Sequence, residues 1–289
     1  MRVLITGAGG QVGRELARTA PPQALVRTVD RNELDIGDAA AVHAVIGEFR
    51  PALIFNAAAY TAVDRAESEP ELAMHVNGIA PRLLAAAAAA ADCRLIHIST
   101  DYVFDGQSPH PYAPGDEPRP LGVYGQSKLE GERAVLQAPG LQSAVVRTSW
   151  VYASHGRNFL QSMLRLMRAH GAVRVVADQV GAPTAARSLA EALWVLGQQP
   201  ALSGLMHWTD AGVASWYDFA VAIAEDAAQR GLLPTDVAVT PIATADYPTP
   251  ARRPAYSLLD KGATVAALGL SPWHWRQRLR QVLDEMRHA

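Results

Sequence analysis

Tyr124 and Lys128 stand four residues apart in Tyr124-Gly125-Gln126-Ser127-Lys128, at the head of a segment of helical period that continues through Leu129, Arg133 and Leu136. That spacing puts both side chains on one helix face. A free phenol titrates at about pH 10, too high to exchange protons readily at neutral pH, and a neighbouring ammonium stabilises the phenolate and lowers that value. The pair therefore reads as a general acid. Ser99-Thr100-Asp101 follows directly on an apolar, strand-like run, where the Thr100 hydroxyl can bond a carbonyl oxygen and align it with the phenol. Thr100, Tyr124 and Lys128 are thus the candidate catalytic residues, suited to giving a proton to a carbonyl under reduction.

Such a reduction needs a hydride donor, and the N-terminus offers it a place. Thr6-Gly7-Ala8-Gly9-Gly10-Gln11-Val12-Gly13 follows the strand-like Val3-Leu4-Ile5 and opens the helical Arg14-Glu15-Leu16-Ala17. Glycines let the backbone turn tightly and approach a pyrophosphate, which rests on the exposed N–H groups of the helix start. Asp30 ends the next apolar run, where a carboxylate can accept from the adenosine ribose. Its charge favours NADH over a 2′-phosphate, while Arg27 and Arg31 lie near enough in sequence to offset it, so NADPH and NADH both stay open as cofactors.

Elements must carry these residues to one place, and the pattern supplies them. Short β-branched or apolar runs at Val3-Leu4-Ile5, Leu25 to Val29, Ala52 to Phe55, Leu95 to Ile98 and Ala144 to Arg147 alternate with longer helical stretches. This predicts an α/β fold of Rossmann type, a doubly wound parallel sheet, with ligands at the carboxyl ends of the strands. The alanine run Ala85 to Ala91 reads as a plain packed helix. After about Trp150 the pattern loosens, with proline and glycine at Gly181-Ala182-Pro183, Gly204 and Tyr247-Pro248-Thr249-Pro250. Residues 1–150 are expected to form an NAD(P)-binding domain carrying the triad. Residues 151–289 should form a smaller, discontinuous substrate-binding region whose chain returns to the core, one wall of a cleft above the sheet.

Bulk properties exclude several classes. The chain has 289 residues, 49% of them hydrophobic, and a formal net charge of −2, which lacks the positive field of a nucleic-acid binder. One cysteine, Cys93, permits no internal disulfide and reads as a small buried hydrophobe. Glycines appear within seven residues of Met1, too early for a secretory leader, and no long uncharged apolar stretch suggests a membrane span. A cytoplasmic protein without membrane or nucleic-acid partners is expected.

Longer motifs carry a resemblance. They are Gly10 to Leu16, Asn56 to Asp64 with Glu67-Ser68-Glu69-Pro70, Ser99 to Gly106, Val123-Tyr124-Gly125, Arg147 to Tyr152, Asp178 to Thr184, Trp216-Tyr217-Asp218 and Tyr247 to Pro254. On these stretches, and over nearly its whole length, the chain resembles the dTDP-4-dehydrorhamnose reductases, a family of extended short-chain dehydrogenases. The resemblance implies reduction of dTDP-4-dehydro-L-rhamnose to dTDP-L-rhamnose with hydride from NADPH or NADH and Tyr124 as proton donor. It implies that Gly10, Gln11 and Val12 meet the pyrophosphate, with Gly7 and Gly13 in the same cofactor-binding turn, and Asp30 the adenosine ribose. Asp35 and Ile36 would lie by the adenine, Ala59, Tyr60 and Thr61 along the nicotinamide half, and Lys128 on the nicotinamide ribose beside Tyr124. Thr100, Asp101 and Trp150 would touch the sugar, with Trp150 packed on its ring. Arg252 and Arg253, adjacent in a proline-stiffened segment, suit the diphosphate because guanidinium forks match phosphate oxygens.

Some members of that family bridge two subunits with a divalent ion on three glutamates. Glu15 and Glu285 match two of them, but the third place is held by Arg187, which argues against Mg²⁺ and a metal-linked dimer while leaving a homodimer of another kind open. A sugar-nucleotide dehydratase would share the fold and the Tyr/Lys pair, yet its acid-base glutamate after the Thr-Asp dipeptide is here Tyr102. Another nucleotide-sugar 4-epimerase or reductase remains an alternative, as does a non-catalytic NADP-binding regulatory subunit like that of methionine adenosyltransferase. The intact triad favours catalysis.

Overall fold

The computed structural model describes residues 1–288. Five short apolar runs become parallel strands: β1 (Arg2–Thr6), β2 (Leu25–Val29), β3 (Leu53–Asn56), β4 (Arg94–Thr100) and β5 (Ser143–Thr148). All residues of β3 and β5 are buried, as strands covered on both faces must be. Within β1 the two-residue period divides the core. Val3 and Ile5 pack with Leu16, Phe55 and Trp194 on one face of the sheet, while Leu4 packs with Ile54, Leu84 and Leu95 on the other.

The sheet has six strands. Its order runs Gly204–His207, β5, β4, β3, β1, β2, every pair parallel. The direction of winding reverses between β1 and β3, and in such sheets the crevice beyond those strand ends receives the ligand. The sixth strand, in the stretch that the sequence reading treated only as punctuated by Gly204, pairs along β5 from Gly204 to His207. Three residues behind a glycine carry too little period to reveal a strand. The alanine-rich stretch is the helix Ala80–Ala90, with Leu84, Ala85, Ala87 and Ala88 buried.

Beyond β5 a third core forms among the helices Phe159–His170, Trp216–Ala228 and Trp275–His288, filled by Leu160, Leu164, Phe219, Ile223 and Leu279. Among the described residues, no helix is long and apolar enough to cross a membrane. Cys93 is buried, and burial pushes its thiol up to about 12. It is therefore no nucleophile at neutral pH.

The helix Val123–Leu136 is tied to the sheet by a buried ion pair. Arg147 of β5 donates to Glu132 through Nε at 2.8 Å and Nη2 at 2.6 Å, and its guanidinium lies 4.9 Å from the centre of the Phe104 ring. Neither side chain is more than 2% exposed. Glu132→Gln leaves the Arg147 charge buried without its counter-ion, and the expected loss is about 3–5 kcal/mol of unfolding free energy. Urea denaturation checks this; a loss below about 1 kcal/mol, as at a surface pair, would show that the pair does not anchor the helix.

Candidate active site

The carboxyl ends of β1, β3, β4 and β5 open into one cavity of about 550 Å³. Gly9, Gly10, Gln11 and Val12 line one part of it, Ala57, Ala59, Thr61 and Ile98 another, and Thr100, Asp101, Tyr124, Lys128 and Trp150 the rest. Glycine loop and triad thus share a single space.

The glycine loop is built for close approach. Gly7 sits at φ +69°, and a Cβ there would stand 2.5 Å from the Ala58 nitrogen. A Cβ on Gly13 would stand 2.3 Å from the Gly7 carbonyl oxygen. The helix Gln11–Arg18 then begins with Gly10 as its cap, with no side chain bonding the first N–H groups and no acid in the first turn. Such an uncapped helix start attracts an anion. Asp30 stands beside Gly9, its Cβ 3.8 Å from where a Gly9 Cβ would be, and Oδ1 accepts from the Asn32 N–H at 2.8 Å. These residues fit a dinucleotide, with Asp30 Oδ2, which accepts only a long 3.5 Å bond from the Asn32 side chain, placed to take a ribose hydroxyl.

Other candidates for that half divide. Asp35 accepts from the Gly37 N–H at 2.8 Å and closes a turn. Ile36 packs in the core with Leu34 and Val42, leaving only its backbone to face a base. The Tyr60 hydroxyl donates to Glu69 at 2.5 Å, and its backbone is clamped by Asn77, whose Oδ1 accepts from the Tyr60 N–H at 2.8 Å. Asn77 lies in a π-turn, His75–Ile79, a form of helix concentrated at functional sites.

At the catalytic end the Thr100 hydroxyl donates to Asp101 at 3.0 Å and lies beside the Tyr124 phenol. Burial pushes Tyr124 up to about 12, outweighing the pull of that hydroxyl. Lys128 is brought down to about 8 by burial, against the pull of Glu132, and its ammonium donates to the Ile98 carbonyl at 2.7 Å. The expectation that Lys128 lowers the phenol is thereby corrected. Desolvation governs both groups, and Lys128 spends its charge on other partners. Burial also raises Asp101 to about 6, opposed by the nearby Ser257 and Thr100 hydroxyls.

Three buried polar atoms of lining residues, Ser99 Oγ, Asp101 Oδ2 and Thr148 Oγ1, have no partner among the described residues. Buried polar atoms are seldom left so, and here they suit a ligand rich in hydroxyls. Trp150 stacks on Trp216 at 3.6 Å, and both line the cavity. Arg253 grips Asp64 through both nitrogens at 3.0 and 2.8 Å, which holds the Asp64 carboxyl below the usual range, while Arg252 is exposed. Ser99 lies where the sequence reading placed ligand contacts, after an apolar run; Thr148, Trp216 and Arg157, which line the cavity, and His97, which meets Lys128, escaped it. Of these only His97, polar inside an apolar strand, gave a signal.

The Glu15, Arg187 and Glu285 of the metal argument do meet, away from this cavity. Arg187 Nη1 lies 2.9 Å from Glu285, and Arg18 Nη2 lies 2.6 Å from Glu15 and 3.1 Å from Glu285. The cations on these carboxylates are guanidinium groups of the chain itself.

A doubly wound parallel sheet with an uncapped glycine turn beside a hydroxyl, a phenol and a lysine is the architecture of short-chain dehydrogenases. A family model, the RmlD substrate binding domain, matches residues 1–288. A dTDP-4-dehydrorhamnose reductase of Aggregatibacter actinomycetemcomitans is 42% identical over 97% of this chain and 98% of its own. One from Burkholderia thailandensis is 44% identical over 96% of each chain. The structure of dTDP-4-dehydrorhamnose reductase from Bacillus anthracis in complex with NADP superposes with a TM-score of 0.92, at 36% identity, over 98% of this chain and 99% of that one. The chain belongs to the RmlD family.

A proton held this firmly has a direct readout. In ultraviolet difference titration of wild type against Tyr124→Phe, the phenolate of Tyr124 is expected about two units above the ordinary value of 10.0, near 12. A midpoint below 10.0 would mean that Lys128, not burial, sets it.

Proposed function

We propose that the protein reduces dTDP-4-dehydro-L-rhamnose to dTDP-L-rhamnose with NADPH or NADH. The observation that carries this reading is the single cavity in which Thr100, Tyr124 and Lys128 meet the glycine turn, in a chain similar end to end to reductases of that name. When bound, the nicotinamide supplies the hydride. The chain's own residues do the rest. Thr100 and Tyr124 hold the keto oxygen between two hydroxyls, and Tyr124, which burial keeps protonated, gives its proton as charge builds there. Lys128 would hold the nicotinamide ribose and keep the phenol in register. Asp101 offers its unpartnered Oδ2 to a sugar hydroxyl. Tyr102, packed edge to face on Tyr124 at 5.4 Å, stands where a dehydratase has its glutamate, so elimination of water lacks its acid.

The assay is reduction of dTDP- and GDP-linked 4-keto sugars with each nicotinamide cofactor. Tyr124→Phe keeps the ring and removes the proton, and turnover is expected to fall by about 10²–10⁴ with little change in substrate affinity. A folded Tyr124→Phe protein that binds NADPH and turns over at the wild-type rate would falsify the mechanism.

Diphosphate recognition falls to Arg252 and Arg253. Since Asp64 already occupies Arg253, the exposed Arg252 is the cation with charge to spare. Arg252→Ala is expected to weaken nucleotide-sugar binding about tenfold or more, the value of one charge-assisted bond, with NADPH affinity unchanged. Equal binding of the sugar with and without its nucleotide would remove this role.

A further inference from the structure

Beneath Lys128 lies a chain of polar groups that the mechanism does not use. The Asn56 amide is oriented by its neighbours: Oδ1 accepts from the Ala58 backbone N–H at 3.2 Å and from the Thr6 hydroxyl at 2.8 Å. Its Nδ2 therefore faces His97, 2.9 Å from Nδ1. An amide NH₂ can only donate, so Nδ1 is the bare nitrogen and a neutral ring carries its proton on Nε2. His97 is fully buried, and burial with the Lys128 charge beside it holds it well below the usual histidine range. The ring is therefore a fixed neutral dipole. Its Nε2–H points at Lys128 Nζ, 3.4 Å away, donor against donor.

We propose that His97 is a positioning residue for Lys128: its Nε2–H, locked by Asn56, offers the ammonium no acceptor inside the sheet, so the protons not given to Ile98 turn toward the cavity. The proposal rests on the reading of Lys128 as the residue that holds the dinucleotide ribose. With an acceptor at that place, the ammonium would be satisfied inside the protein and withdrawn from its ligand. The same dipole disfavours charge on Lys128. The other groups facing it are Glu132, whose charge is shared with Arg147 of β5, together with Tyr124 on the same helix and Asp101 after β4 across the cavity.

Two measurements on the unliganded protein test this without turnover. Nitrogen NMR of His97 in the wild type is expected to show the Nε2–H form, and the Nδ1–H form would overturn the proposal whatever any variant does. Carbon NMR of labelled lysine follows the Lys128 titration, expected near 8 in the wild type. His97→Gln brings a carbonyl to the position of Nε2–H and is expected to raise that midpoint by about one unit, a tenfold change in the proton equilibrium, and to weaken NADPH binding severalfold. His97→Phe keeps a ring but loses the dipole without bringing an acceptor, and is expected to raise it by clearly less than His97→Gln does. Equal shifts in both variants would mean loosened packing, and no shift in a folded His97→Gln would mean that the dipole is idle; either sinks the idea. Should His97→Gln fail to fold, the wild-type tautomer still decides. A protein that shows these shifts yet reduces no nucleotide sugar would refute the reductase reading and leave the role of His97 standing.

Discussion

The site depends on how close the helix Val123–Leu136 can lie to the strand end that bears Thr100. A Cβ on Gly125 would stand 2.2 Å from the Tyr102 carbonyl oxygen, and one on Gly131 would stand 2.1 Å from that of Asn77. Both obstacles are backbone, so no rotamer change could relieve them. Two glycines, one on each side of Lys128, bring the helix to backbone contact with the turn after β4 and with the π-turn His75–Ile79. From that distance the phenol reaches Thr100 and the lysine head passes under the strand to Ile98. Asn77 secures the seam from its side, donating to the Ser127 hydroxyl at 3.0 Å while it clamps the Tyr60 backbone.

Close approach has an electrostatic consequence. Tyr124 and Asp101 are pushed up and Lys128 down, each chiefly by burial. All three move toward their neutral forms, which is what a poorly solvated site imposes on acids and bases alike. For a carbonyl reduction this is favourable, because the phenol arrives with its proton and the charge that develops on the substrate oxygen meets fixed donors in a medium that screens them little. The glycine seam and the chemistry are thus one constraint seen twice.

Much of this could be read from the chain. Strand runs, the glycine turn and the Tyr124/Lys128 spacing are local patterns, and local patterns survive in a sequence. Thr100 was legible because a hydroxyl at the end of an apolar run is at the crevice in any doubly wound sheet. What escaped is what depends on distant pairing. The strand Gly204–His207 is defined by its partner β5, not by its own composition. His97 gains its meaning from Asn56, 41 residues earlier, and Lys128, 31 residues later. Trp216 matters only because folding brings it face to face with Trp150. The sign of the Tyr124 shift was missed for the same reason, since helix spacing tells that Lys128 is near but not that Ile98 has engaged it.

The wall formed by Trp150 and Trp216 shows how the later part of the chain completes the cavity. Trp150 is held at φ +49°, a left-handed conformation that costs a bulky residue about 1–3 kcal/mol. The stack on Trp216 and the hydrogen bond that fixes Trp216, from its Nε1–H to Gln179 at 3.2 Å, act against that strain. An aromatic pair contributes about 0.5–1.5 kcal/mol beyond the area it buries, the same order as the strain. The Trp150 backbone is thus held from two sides, by the Thr184 N–H that donates to its carbonyl at 3.2 Å and by a side-chain contact from the third core. Floor and wall then differ in what they offer: the strand ends and the Val123–Leu136 helix carry hydroxyl, phenol and ammonium, while the indole wall and the unpartnered Ser99, Asp101 and Thr148 atoms suit a ligand with an apolar face and a rim of hydroxyls.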